Sequence, residues 1–289
     1  MTIYYDHCRS FEGNNAPLLA CVTPLIHPDV ARSWPSVCAR LRETAASVLS
    51  SDSPATPIRM FVGCNYEAEV SDLPSGVKLM RLPLPAPDAS VYASTGDQEA
   101  VRLESVRLDK GEKVLAAARE ARDEGAEYIM FLDADDLLSN RIIGWVAAHR
   151  GAPGWVIDKG WLHRPNSPFI YQQDRFNRVC GSCHIVRTDL IPGLSSKAEM
   201  TEDEIKKYFG SHLHLADRLS FEGHHLEKLP FRGAVYRVGH GNNISRRKRA
   251  IEFWALRRHP SLFLKRVVGF RRLSAKLIEE FSVPPISRH

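Results

Sequence analysis

The chain has no uninterrupted apolar run near the roughly 20 residues needed to span a bilayer, so no integral membrane segment is expected. Cysteine is sparse. The six residues Cys8, Cys21, Cys38, Cys64, Cys180 and Cys183 are scattered through 289 positions, which fits reduced, partly buried thiols better than a disulfide framework. The opening MTIYYDHCRSFEGNN has no basic segment followed by an apolar stretch, so a secretory leader is not expected. The expected compartment is the cytoplasm, including the inner face of the membrane. There is no internal repeat and no long low-complexity tract. Glycine is missing from VTPLIHPD, where a nucleotidyltransferase would normally place its phosphate loop.

What is present most distinctively is YIMFLDADD, residues 128–136. Tyr128 to Leu132 reads as a buried strand that runs into three carboxylates, Asp133, Asp135 and Asp136. Desolvation and mutual repulsion oppose three like charges at the end of a buried element unless a cation holds them together. Oxygen ligands on alternate residues suit Mn²⁺ or Mg²⁺, hard ions that keep positions for water and phosphate oxygens. The substrate this implies is a nucleotide or another diphosphate. The competing reading is an acidic turn in which Asp136 or Ser139 caps the next helix.

Upstream, Leu18 to Val22 and Ile58 to Val62 read as strands, with helical spacing between them from Asp29 to about Ser50. Val77 to Leu84 is a third apolar stretch. A helix is predicted from Lys110 to Asp123, stopped by Gly125. This order builds a mostly parallel α/β sheet flanked by helices, and ligands of such sheets bind beyond the carboxyl ends of the strands. Thr23, Pro24, Asn65 and the aspartates would gather there. Lys110 and Lys113, in the predicted first turn of their helix, would face diphosphate oxygens beside free backbone N–H groups. Downstream, the pattern predicts helices at Ile142–His149 and from about Glu202 to Phe221, a strand at Trp155–Asp158, and a strand pair in LEKLPFRGAVYRV.

At this point the chain resembles a glycosyltransferase of the GT-A fold, closest to the family 2 type. The resemblance covers about Leu18 to Ser245 and is carried by ACVTP, DKGEKVLAAA, YIMFLDADD, CGSCHIVRTDL and LEKLPFRGAVYRVGHGNN. It implies a metal-dependent hexosyltransferase that moves a sugar, with inversion, from a nucleotide-diphosphate donor to a glycan or lipid-linked acceptor. It divides the chain into a polar segment 1–17, a GT-A domain 18–245 and a basic amphipathic helical tail 246–289.

By the same resemblance Asp133 contacts ribose or metal, Asp135 binds the metal bridging the two phosphates, and His240 closes the metal site from a glycine-flanked loop. Asp136 caps the following helix or meets sugar hydroxyls. The family's usual Glu-Asp at the acceptor-side helix is replaced by Ser211-His212, which makes His212 the candidate general base, with Asp217 as the second candidate. Gly181, Ser182 and Trp161 are candidate acceptor contacts. Cys180-x-x-Cys183 lacks a second ligand pair at metal spacing and is assigned to the acceptor loop. The usual acidic pair after the second strand is replaced by Gly63-Cys64-Asn65, so the nucleotide is not specified.

The net charge of +5 is uneven: residues 246–289 carry twelve Lys or Arg and three Glu, a balance of +9, leaving −4 for the rest. A basic amphipathic segment broken at His259-Pro260 suits an anionic membrane surface, or its apolar side packs on the catalytic domain. Nucleic acid is not an expected partner, because the remainder is acidic and no base-reading module is present. The competing functions are a nucleotidyltransferase and a non-catalytic glycan- or membrane-surface-binding protein with a degenerate site.

Overall fold

The computed structural model describes residues 4–5, 16–86, 88, 99–194, 199–239 and 269–285. In chain order its elements begin with strands β1 (Tyr4–Tyr5) and β2 (Leu19–Pro24), helix α1 (Trp34–Leu49), strands β3 (Ile58–Asn65) and β4 (Val77–Leu82), and helix α2 (Glu99–Asp123). Strands β5 (Tyr128–Phe131) and β6 (Leu137–Leu138), helix α3 (Arg141–Ala148), and strands β7 (Gly154–Val156), β8 (Lys159–His163), β9 (Phe169–Asp174) and β10 (His184–Arg187) come next. Helices α4 (Glu202–Tyr208) and α5 (Leu215–Phe221), strands β11 (Glu227–Lys228), β12 (Ala234–Arg237) and β13 (Phe270–Arg272), and helix α6 (Ala275–Phe281) complete the order.

The main sheet runs β1-β4-β3-β2-β5-β10-β7-β11, with β4, β3, β2 and β5 mutually parallel. Strands buried on both faces need apolar residues at successive positions, and β2 shows why LACV is continuous. Leu19 and Cys21 join Val37, Leu41 and Val48 of α1 on one face. Ala20 and Val22 join Val114, Ala117 and Ala118 of α2 on the other. The result is the predicted mostly parallel α/β sheet between helices. Ser33 caps α1 by accepting a hydrogen bond from Ser36 N, and Gly125, at φ +82°, ends α2 with Ala126 N bonded to Ala121 O at 2.9 Å.

Two helices differ from the sequence pattern, and both differences shape the site. Helix α2 starts at Glu99, eleven residues before Lys110, so Lys110 lies in its interior and has no free backbone N–H groups beside it. The predicted helix from Glu202 to Phe221 is two helices, broken after Tyr208. Gly210 lies at the break: a Cβ there would lie 2.2 Å from Arg107 O, while on α2 a Cβ at Gly111 would lie 2.8 Å from Ile205 O and 3.2 Å from Gly210 N. These two glycines let the end of α4 press on α2, and the chain then turns at Ser211-His212 over Lys110.

A second sheet, β13-β9-β8-β12-β6, packs alongside. The chain enters it at β6, one residue after Asp136. The predicted pair in LEKLPFRGAVYRV is split between the sheets: β11 joins β7 and β12 joins β8. Of the basic tail, residues 246–268 lie outside the described residues. Its end adds β13 to β9, and Phe281 of α6 and Val283 just after it are buried with Leu137, Trp161, Ile170 and Val235. Among the described residues no helix is long and apolar enough to cross a membrane.

Candidate functional site

The carboxyl ends of β2 and β5 open into a small cleft of about 380 Å³, a volume that includes open solvent. Pro24, Lys110, Asp133, Gly181, His184 and His212 all line it. Five of these six are sequence candidates. His184 is the one the sequence reading missed, although it closes the CGSCH run.

The aspartate segment forms a turn in which Asp136 N donates to Asp133 O at 3.2 Å, and this turn sends its carboxylates to different places. Asp133 faces the cleft, 29% exposed, and Lys110 Nζ donates to its Oδ1 at 2.5 Å. Burial pulls the Lys110 pKa down, but the charge and hydrogen bond of Asp133 outweigh it and the net shift is upward, so the ammonium stays charged. A Cβ at Gly181 would come within 3.0 Å of Asp133 Oδ2 and 3.5 Å of Lys110 Nζ, so glycine keeps the space beside the pair clear.

Asp136 points inward and is fully buried. Its Oδ2 accepts from Ser182 Oγ at 2.6 Å and Cys180 Sγ at 3.1 Å, and its Oδ1 from Arg237 N at 3.3 Å. Burial, then the charges of Asp135 and Asp133, push its pKa well above the usual carboxylate range. The expected helix cap or sugar contact is therefore corrected. Asn140 occupies the cap position of α3, and Asp136 is a buried anchor. Asp135 is half-buried on the α1 side, where its charge favours the Arg40 guanidinium and its carbonyl accepts from Arg237 Nε. Arg237 also pairs with Glu43 and donates to Arg40 O at 3.1 Å.

Ser182 is corrected in the same way. Its hydroxyl accepts from Asp133 N at 2.9 Å and donates to Asp136, so this fully buried side chain fixes the turn and leaves no surface for an acceptor. Trp161 lies in the apolar cluster around Phe281, with the Arg232 guanidinium 5.1 Å from its ring, because the second sheet needs that side chain as core. Lys113, expected to face phosphate, is fully buried and paired with Asp109 at 2.8 Å.

His212 lies between α4 and α5 in the cleft wall, and its Nε2 is buried with no hydrogen-bond partner among the described residues. Burial, reinforced by the Lys110 charge, lowers its pKa to about 4. His184 is likewise held down to about 4 by burial and by His212. Both imidazoles are neutral at neutral pH. Asp217 is exposed on α5 and does not line the cleft. Thr23 and Asn65, at the ends of β2 and β3, are fully buried, and Thr23 Oγ1 and Asn65 Oδ1 have no partner among the described residues.

The expected ligand set for Mn²⁺ or Mg²⁺ was Asp133, Asp135 and His240. His240 lies outside the described residues. Asp133 already holds an ammonium, Asp136 has all its nearby donors inside the protein, and among the described residues no group of three His, Cys, Asp or Glu side chains converges on a metal position. The described residues thus offer no preformed three-ligand site, and the carboxylate that faces the cleft is held by Lys110.

No protein-family model matches the chain. No curated protein matches it. Among solved structures it is similar to the S. aureus TarS fragment 1–349, at 12% identity and a TM-score of 0.41, over 76% of this chain and 60% of that one.

Proposed function

We propose that the chain is a glycosyltransferase that moves a sugar from a nucleotide-diphosphate donor to a carbohydrate or lipid-linked acceptor. The observation that carries this reading is the cleft at the carboxyl ends of β2 and β5, where a charged Lys110–Asp133 pair stands beside a neutral histidine whose Nε2 has no partner among the described residues. An anionic leaving group needs a fixed positive charge, and an acceptor hydroxyl needs a base that is unprotonated at neutral pH. Lys110 and His212 supply one each.

In the transfer, the acceptor oxygen attacks the anomeric carbon as its proton passes to His212, and the bond from that carbon to the diphosphate breaks with the electron pair leaving on oxygen. Attack opposite the leaving group inverts the anomeric centre. Asp133 orients Lys110. A lipid-linked acceptor is the choice that accords with the basic segment 246–268.

The test is a transfer and donor-hydrolysis assay over a panel of nucleotide sugars. Turnover of at least one donor is expected, and His212→Ala should lower it by roughly 10²–10⁴-fold while leaving donor affinity within a factor of about two. If His212→Ala retains full turnover, this base assignment is wrong. If no donor binds, the protein is not a transferase of this kind, and a non-catalytic reading takes its place.

A further inference from the structure

In a site of this chemistry, positive charge beside the carboxylate at the end of β5 is what the departing diphosphate requires. Here that position is taken by a side chain. Lys110 reaches out of the middle of α2, places Nζ 2.5 Å from Asp133 Oδ1, and is 29% exposed on the cleft side. Among the described residues lining the cleft it is the only lysine or arginine. An ammonium has three N–H donors, and the bond to Asp133 uses one. Gly181 leaves the space next to both groups free of a side chain.

The surroundings hold this arrangement firmly. Asp133 N is bonded to Ser182 Oγ, which is tied in turn to the buried carboxyl of Asp136, so the carboxylate that grips Lys110 is anchored to the interior. On the other side, the Gly111–Gly210 contact fixes α2 against the end of α4 one residue from Lys110. The ammonium is therefore pre-positioned, and it costs little reorganisation when charge develops in front of it.

We propose that Lys110, gripped by Asp133, binds and neutralises the departing diphosphate, so that sugar transfer at this site proceeds without a divalent cation. The inference rests on the glycosyltransferase reading above and assigns the electrophilic role within it. As the bond from the anomeric carbon breaks, the electron pair goes to the terminal phosphate oxygen, which accepts an N–H hydrogen bond from Lys110. The acceptor proton is on His212, and no further reactant is needed. Asp133 is a positioning residue in this scheme.

The experiment is calorimetric titration with UDP, GDP, ADP, CDP and dTDP, in EDTA and then in Mn²⁺, with circular dichroism confirming that each variant is folded. The wild type should bind at least one of them in EDTA with an affinity within about twofold of that in Mn²⁺. Lys110→Met should weaken binding in EDTA by about tenfold or more, and Lys110→Arg should recover part of it. Asp133→Asn is the decisive variant. It keeps an acceptor for Lys110 and removes a negative charge, so diphosphate binding should hold or tighten by up to about fivefold. Binding that appears only with Mn²⁺, disappears in Asp133→Asn and survives Lys110→Met overturns the inference and leaves the transferase reading intact. Absence of binding to all five under both conditions overturns both.

Discussion

The two sides of the aspartate turn differ in how completely their charges are satisfied. On the α1 side, Arg237 meets Glu43, Arg40 O, Asp135 O and Thr44, and its backbone N–H donates to the buried carboxyl of Asp136, which also takes Ser182 and Cys180. On the α2 side, Asp133, Lys110 and His212 face a cleft, with one strong bond between the first two and, on the third, a nitrogen that has no partner among the described residues. Residues of the same chemical type, four positions or fewer apart, thus form a closed structural lock on one side and an open reactive face on the other. Saturation of hydrogen-bonding capacity, more than charge itself, separates the two roles.

The largest effect on stability should come from breaking the lock. Asp136→Ala leaves Ser182, Cys180 and Arg237 N without their shared acceptor in a dry interior, and urea denaturation should show a loss of about 3 kcal/mol. Asp133→Ala, on the open side, should cost no more than about 1 kcal/mol, because the pair it breaks is part-exposed. Equal losses would remove the distinction between the two sides.

A smaller effect should appear with pH. His184 has an ordinary pKa of 6.5 when unfolded and about 4 when folded, so below pH 6.5 the unfolded chain binds the extra proton and stability falls as pH drops toward 4. Between pH 7 and pH 5 the wild type should lose about 2 kcal/mol more than His184→Gln. That comparison cancels the raised pKa of Asp136, which acts with the opposite sign in both proteins. The same depression at His212 predicts transfer rates that stay level from pH 8 down to about 5. An acid limb near 6.5 would show that the base is another group.

The smallest effect is expected from Asp217→Ala. That carboxylate is exposed on α5 and away from the cleft, so turnover should be unchanged and stability should move by less than about 0.5 kcal/mol. A large loss of turnover would transfer the base assignment from His212 to Asp217.

The parallel sheet was legible because LACV and YIMF must be apolar on both faces, and Gly125 was legible as a helix stop because its backbone conformation suits glycine. The start of α2 was not. EAVRLESVRLD carries six polar or charged residues in eleven and shows its helical face only against neighbours that are remote in sequence. The break after Tyr208 coincides with Gly210 meeting Arg107 O, a tertiary contact that periodicity does not encode. Within the site, the DxDD run announced itself, but its division of labour did not. The partner that completes the burial of Asp136 is Arg237, 101 residues away, and nothing local distinguishes an aspartate that will face solvent from one that will be enclosed. His184 went unnoticed because a histidine at the start of a strand carries no pattern of its own.

One further consequence concerns how the chain passes from the first sheet to the second. β5 ends at Phe131, and β6 begins at Leu137 paired with β12, so five residues, the aspartates among them, form the bridge. Ser139, just past that bridge, donates to Glu280 of α6 at 2.7 Å, and Asn140 N bonds to Glu280 O at 3.0 Å. The segment that follows the aspartates is thereby tied to α6. Loss of the Glu280 side chain therefore removes the Ser139 hydrogen bond just past the aspartates.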